Sequence, residues 1–262
     1  MLTFFSLHRV TAMRVVAALM GLFFVIGTAP QAMSPWGNVT LANYVGVHDP
    51  NLHRWSAALA GGPDLGAAVV LFYLVWRPLR APLALQWLAL IVIVFLVANV
   101  PFVGPAVALI AVPIVLVLLL YPRPGDLWTS PWSEGVDWPL LGLATLIAIL
   151  LVADGFAALT AQVRGADEVA ANYDWAADGE HLINIGLAAL LAGMNRAGAR
   201  LLGIVAGGVV AFLGAAAVTV PDNPGSWGAL GGAVGIVVGV IFLAMAAYEW
   251  RRRGERLEPR PA

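Results

Sequence analysis

Mainly apolar residues arrive in eight separate stretches, and that segmentation constrains the fold more than any single motif. A hydrocarbon core of about 30 Å takes ~20 apolar residues as a helix, with a range of ~17–25. Helices are favoured there because lipid offers no partner for a bare backbone N–H or C=O. The stretches run near 10–29, 63–76, 83–100, 104–121, 138–159, 175–195, 201–220 and 228–250. The second is short if it begins at Pro63 and reaches full length only if it begins nearer Trp55. The third and fourth are divided by Val100-Pro101-Phe102-Val103-Gly104-Pro105, where two prolines and a glycine mark a turn. The expectation is an all-α polytopic membrane bundle of about eight transmembrane helices.

Composition agrees. Hydrophobic residues make up 61% and charged residues 11%, with mean hydropathy +0.86. A soluble domain has roughly 45–50% apolar and about 25% charged residues. A basic nucleic-acid binder and a disulfide scaffold are excluded on the same grounds. The absence of cysteine removes thiolate nucleophiles, Cys-held metals and Fe–S clusters. All 14 basic residues are arginine, so no lysine amine is present for a retinal or pyridoxal Schiff base.

The arginines orient the chain. With the N-terminus in the cytoplasm and eight crossings, Arg9, Arg14, Arg77, Arg80, Arg123, Arg196, Arg200, Arg251, Arg252, Arg253, Arg256 and Arg260 fall inside, 12 in all. Only Arg54 and Arg164 fall outside. Positive charge resists translocation in short loops, so both termini are expected in the cytoplasm. Arg9 and Arg14 before an apolar run ending in Ala29-Pro30-Gln31-Ala32 give a signal-peptide outline. The proline and the lack of an A-x-A site argue that the first span is retained.

The two halves share a plan: a span, a polar outer segment, a span, a short arginine-bracketed loop and a hairpin of two spans. The loops are Arg77-Pro-Leu-Arg80 and Arg196-Ala-Gly-Ala-Arg200, and the outer segments share Ala42-Asn43-Tyr44 and Ala171-Asn172-Tyr173. This predicts a 4+4 parallel internal repeat, with residues 1–121 and 138–250 as repeats, 122–137 as an interfacial linker and 251–262 as a cytoplasmic basic tail.

Depth follows from a rise of about 1.5 Å per residue. Asp64, His181 and Asp154 then lie ~20–24 Å above the inner boundary, joined by Asn99 near the outer end of the third span. Ionisable groups at such depth are costly and face the bundle interior. Asp64, Asp154, Glu180, His181 and Asn99 are therefore the candidate ligand or proton site. This site would open to the outside, with His53, His48 and Asp49 in its lid. The alternative is a metal or redox centre in which His53, His181 and Asp64 hold a divalent ion such as zinc, copper(II) or iron. Against both stands ordinary capping. Asp64 follows Pro63 as at a helix start, and Asp178 and Glu180 sit near the start of the sixth span. No H-x-x-x-H or H-E-x-x-H pair is present, and no cofactor is required.

GxxxG spacings at Gly203/Gly207, Gly228/Gly232, Gly231/Gly235 and Gly235/Gly239 permit close contact of the last two spans with each other or with another membrane subunit or a second copy. Asn38-Val39-Thr40 is a glycosylation sequon. Three segments, His48-Asp-Pro-Asn-Leu-His-Arg-Trp55, Asp178-Gly-Glu-His181 and Pro221-Asp-Asn-Pro-Gly-Ser-Trp-Gly228, carry a resemblance over most of the chain. The sequence resembles uncharacterised polytopic membrane proteins of high-GC, actinobacteria-type bacteria. The resemblance implies a bacterial plasma membrane and no particular activity. The functional expectation is a non-enzymatic integral membrane protein, a small transporter or an accessory subunit of a membrane complex, with the lipid bilayer as its principal partner.

Overall fold

The computed structural model describes residues 4–37, 49–165 and 167–257. Asn38-Val39-Thr40, Ala42-Asn43-Tyr44, His48 and Arg260 lie outside the described residues, as do the side chains of Trp250 and Arg251–Arg253 and Arg256. Every regular element among the described residues is helical: α1 (Phe4–Ala32), α2 (Arg54–Trp76), α3 (Pro82–Val103), α4 (Val112–Leu120), α5 (Gly125–Trp128), α6 (Trp138–Arg164), α7 (Glu168–Ala171), α8 (Asp174–Ala192), α9 (Ala199–Thr219) and α10 (Gly228–Leu257). Tight 3-10 turns precede α2 (Pro50–His53) and α4 (Pro105–Ala111).

Six helices, α1, α2, α3, α6, α9 and α10, are long and apolar enough to cross a membrane. Their outward faces carry large apolar side chains such as Leu19, Phe23, Ile26, Val97, Val163 and Leu230, all exposed, as suits faces turned to lipid. The two other expected spans are helical but of a different kind. Residues 105–120 begin as a 3-10 helix rising ~2.0 Å per residue and continue as the nine-residue α4. The 19 residues of α8 carry a run of polar groups.

Two boundaries differ from the sequence reading. Gly61-Gly62-Pro63 looks like a helix start, yet α2 begins at Arg54 and runs through Pro63. The glycines serve close approach: a Cβ on Gly61 would lie 2.3 Å from the Ala32 backbone nitrogen, and one on Gly62 would lie 2.8 Å from the Phe212 ring. Pro63 removes one N–H from the ladder, and packing on both sides holds the helix through it. Arg54 ties the same junction together, donating from Nε to the Ser34 carbonyl at 3.0 Å and from Nη2 to the Pro35 carbonyl. The other boundary is in α3, which continues past Pro101 to Val103. The reversal falls at Gly104, where φ is +99°.

Successive segments alternate direction. One end of the bundle gathers Arg9, Arg196 and Arg200. Arg9 donates to the Leu119 carbonyl at 2.7 Å, and Arg196 reaches Gln86 Oε1 at 3.0 Å and the carbonyls of Thr129 and Asp126 at 2.8 and 2.5 Å. Arg200 pairs with Asp137 at 2.8 Å, and Asp137 also caps α6 through the Leu140 N–H. An isolated bridge between Val136 and Met194 pins the linker beneath the α8–α9 turn. The opposite end joins His53 to Asp174 and the Trp55 N–H to Asn223 Oδ1 at 3.1 Å.

The packing centres on α8, which touches α2, α3, α6 and α9. The most extensive helix contacts are α1 with α2, α6 with α8, and α9 with α10. The α9–α10 pair is glycine-mediated within the chain: a Cβ on Gly207 would lie 2.8 Å from the Gly239 carbonyl, and one on Gly214 would lie 2.6 Å from that of Gly232.

Candidate functional site

Helix α8 carries the site because its polar residues recur three and four positions apart, which places them on adjoining lines of one helix. Asp174 and Asp178 are spaced i,i+4, as are Glu180 and Asn184, and His181 follows Glu180 directly, three positions after Asp178. All four acids and amides are buried, Asp178 with 2% and Glu180 with 3% of its surface exposed. Burial of such groups is tolerated only with partners, and most have them. Asp174 accepts from His53 Nδ1 and, at 2.9 Å, from Asn172 Nδ2. Ser56 Oγ donates to Asp178 Oδ2 at 2.8 Å. Asn184 Nδ2 donates to Glu180 Oε1 at 2.7 Å. The Trp87 indole donates to the Asn184 carbonyl at 2.9 Å, locking α3 to α8 at that level.

The column ends at a three-group cluster. His181 Nδ1 lies 2.6 Å from the Ala177 carbonyl, so this nitrogen carries the proton that it donates. The other ring nitrogen, Nε2, lies 3.5 Å from Asp64 Oδ1, and Glu180 Oε2 lies 3.4 Å from Nδ1. Two carboxylates thus flank one imidazole. A proton on Nε2 would face Asp64 directly, and its loss would leave Asp64 and Glu180 without that counter-charge. Asp64, Glu180 and His181, with Thr28 and Gln31, are the polar lining of a partly open cavity of ≈370 Å³, whose apolar walls come from α1, α3 and residues 110–114, including Phe24, Phe95 and Ile114. Asp64 is ten residues into α2, ~15 Å from its start, and His181 is seven residues into α8, ~10 Å from its start.

The capping account of these acids is corrected by their positions. Asp64 is in mid-helix because α2 starts at Arg54. Asp178 and Glu180 are the fifth and seventh residues of α8, whose preceding residue Tyr173 has φ +63°, and neither caps a backbone N–H.

Three of the five expected site residues therefore meet, and two stand elsewhere. Asp154, on α6, accepts from the Trp227 indole at 3.0 Å and lines a different recess. Asn99 donates to the Phe95 carbonyl of its own helix at 3.1 Å and is absent from the cavity wall. His53 is engaged by Asp174 at the end of the bundle, apart from the His181–Asp64 contact. Asp49 accepts from the Asn51 N–H at 2.9 Å. No group of three His, Cys, Asp or Glu residues that could hold a metal ion is found among the described residues. Ser56, Asp174, Asp178 and Asn184 join the site as well; for the three on α8 the sequence signal is the i,i+4 spacing of polar residues within one apolar stretch, and Ser56 on α2 carries no such signal. Compared with protein-family models, curated proteins and solved structures, the chain finds no match.

Proposed function

We propose that the protein is a small, non-enzymatic transporter of a bacterial plasma membrane, crossing it eight times with both termini cytoplasmic, and that a proton is taken up and released at Asp64, Glu180 and His181. The observation that carries this reading is the polar column of α8. It runs from Asp174 to Asn184, ~15 Å along the helix, and ends at the two carboxylates and one histidine beside a cavity. The remaining eight residues to Ala192 are all apolar or glycine. An ionisable column that enters from one end and stops inside an apolar bundle is the form expected of a proton site open to one side at a time.

Eight crossings are supported by length and direction. The 105–120 segment spans ~28 Å by its 3-10 and α rises, and α8 ~29 Å, each leading from one end of the bundle to the other. The arginine-lined end is then cytoplasmic by the positive-inside rule. A 4+4 repeat of 1–121 and 138–250 is supported by matching neighbours: α1 packs on α2 as α6 packs on α8, α2 packs on α9 as α8 packs on α3, and α1 meets α4 as α6 meets α10. The linker 122–137 sits between the halves at the arginine end, and residues 251–257 of the basic tail continue α10.

The test is proton movement in liposomes. Purified full-length protein is reconstituted around a trapped pH-sensitive dye, a pH step is applied with the membrane potential clamped by potassium and valinomycin, and the dye is followed. Wild-type vesicles equilibrate faster than empty vesicles, and Asp64→Asn, Glu180→Gln and His181→Ala each slow the exchange by at least tenfold. Asn99→Ala leaves it unchanged. Wild-type vesicles no faster than empty ones, or three site variants as fast as wild type, would overturn the reading.

A further inference from the structure

A second recess lies at the end of the bundle opposite Arg196 and Arg200, between α2, α6, α8 and the α9–α10 turn. Its volume is ≈200 Å³, and its wall includes Trp55, Asp154, Trp175, Asp178 and Gly225. It shares no wall residue with the Asp64 cavity. We infer that this recess binds a small organic cation of the alkylammonium class, held between the Trp55 and Trp175 indoles and the Asp154 and Asp178 carboxyls.

Four features point to that ligand. The wall holds two carboxyl groups and no basic side chain, so any charge it carries is negative. Asp178 is 2% exposed, with one oxygen taken by Ser56 and the other, Oδ1, without a hydrogen-bond partner. An unmet buried acceptor costs free energy, and a cation in the adjoining space compensates it. Two indoles line the wall, and the indole is the aromatic ring that attracts cations most strongly, quaternary ammonium groups among them. The donor set also discriminates: calcium takes six to eight oxygen ligands, whereas two carboxyls and two aromatic rings suit a large, weakly hydrated organic cation.

The rings are held in place before any ligand arrives. Trp227 meets Trp55 edge-on, with centroids 5.3 Å apart and planes at 64°, and its N–H engages Asp154. The Trp175 indole donates to both oxygens of Asp167, at 3.0 and 3.2 Å. Gly225 has φ +75°, and a Cβ there would lie 2.7 Å from the Trp175 ring, so the turn closes directly against the indole.

The test uses choline and its uncharged carbon isostere, 3,3-dimethylbutan-1-ol, titrated against the purified full chain in micelles by calorimetry and tryptophan fluorescence. Because binding is read without a membrane gradient, the outcome is separate from proton movement at Asp64. Choline is expected to bind saturably and the isostere at least tenfold more weakly. Asp154→Asn and Trp175→Leu each weaken choline at least tenfold, while Trp175→Phe, which keeps an aromatic face, retains an intermediate affinity. No saturable choline binding, equal binding of the isostere, displacement of choline by an equal concentration of sodium, or unchanged affinity in both Asp154→Asn and Trp175→Leu would each overturn the assignment. Helical content of every variant is checked by circular dichroism, and the Trp175→Phe result decides the matter should Trp175→Leu fail to fold.

Discussion

The α9–α10 contact offers a prediction whose magnitude can be worked from distances. A Cβ placed on Gly239 would lie 2.4 Å from the Ala211 nitrogen and 2.7 Å from the Gly207 carbonyl. Ordinary carbon contacts stand at ~3.5–4.0 Å, so Gly239→Ala forces the two backbones apart by about 1 Å or bends one of them. Overpacking of this kind costs ~1–3 kcal/mol. Replacing Gly by Ala in a helix also gains ~1 kcal/mol from propensity, which would mask part of the loss. Gly142 in α6 separates the two effects, since a Cβ there meets nothing within 4 Å. The difference between Gly239→Ala and Gly142→Ala therefore isolates the packing cost, ~1–3 kcal/mol with Gly239→Ala the less stable. Reversible unfolding in mixed micelles of dodecyl maltoside and SDS, followed by tryptophan fluorescence, measures it. Equal shifts in the two variants would refute close α9–α10 contact at this point.

Other perturbations probe the arginine end. Arg200→Met leaves Asp137 without its ion-pair partner and should cost about 3 kcal/mol, because breaking one side of a buried pair strands the other charge. Adding Asp137→Asn should recover part of that loss in a double-mutant cycle. Tyr121, just past α4, donates to Asp126 Oδ2 at 2.8 Å, and burial together with that carboxylate raises its pKa. A tyrosine whose folded pKa is raised contributes stability that is complete below the unfolded value of about 10 and is lost as pH climbs above it. Wild type should therefore lose stability more steeply than Tyr121→Phe as pH rises beyond about 10, measured by the same unfolding assay; parallel curves would contradict the burial of the phenol.

Much of this arrangement is legible in the chain because membrane helices are set by length and punctuation. The apolar stretches, the Gly104-Pro105 turn and the Arg77–Arg80 and Arg196–Arg200 loops each reflect a local requirement, and each falls where a helix ends or turns in the structure. The start of α2 is not legible. Gly61-Gly62-Pro63 carries the chemistry of a helix N-terminus, and only the approach of Ala32 and Phe212 to those glycines reveals a tertiary use for them. That one boundary decides whether Asp64 is a cap or a buried charge. Convergence has the same limit. The depths of Asp64, His181, Asp154 and Asn99 follow from residue counts, but depth does not give azimuth. Asp154 and Asn99 turn to Trp227 and Phe95, while Asp64 and Glu180 turn to His181. The acids of α8 read as an N-terminal cluster because their partners, His53 and Ser56, come from more than 120 positions away.

The central claim is that α8, with its buried acids and histidine, crosses the membrane as one of eight segments. The cysteine-free chain makes a direct measurement possible: single cysteines at Asp167, Asp222, Ser130 and Ala197, all exposed positions, labelled in intact bacteria with a membrane-impermeant maleimide. Asp167→Cys and Asp222→Cys should label in intact cells, and Ser130→Cys and Ala197→Cys only after permeabilisation. Equal labelling of Asp167→Cys and Ala197→Cys from the same side would place both ends of α8 on one face of the membrane and contradict the account.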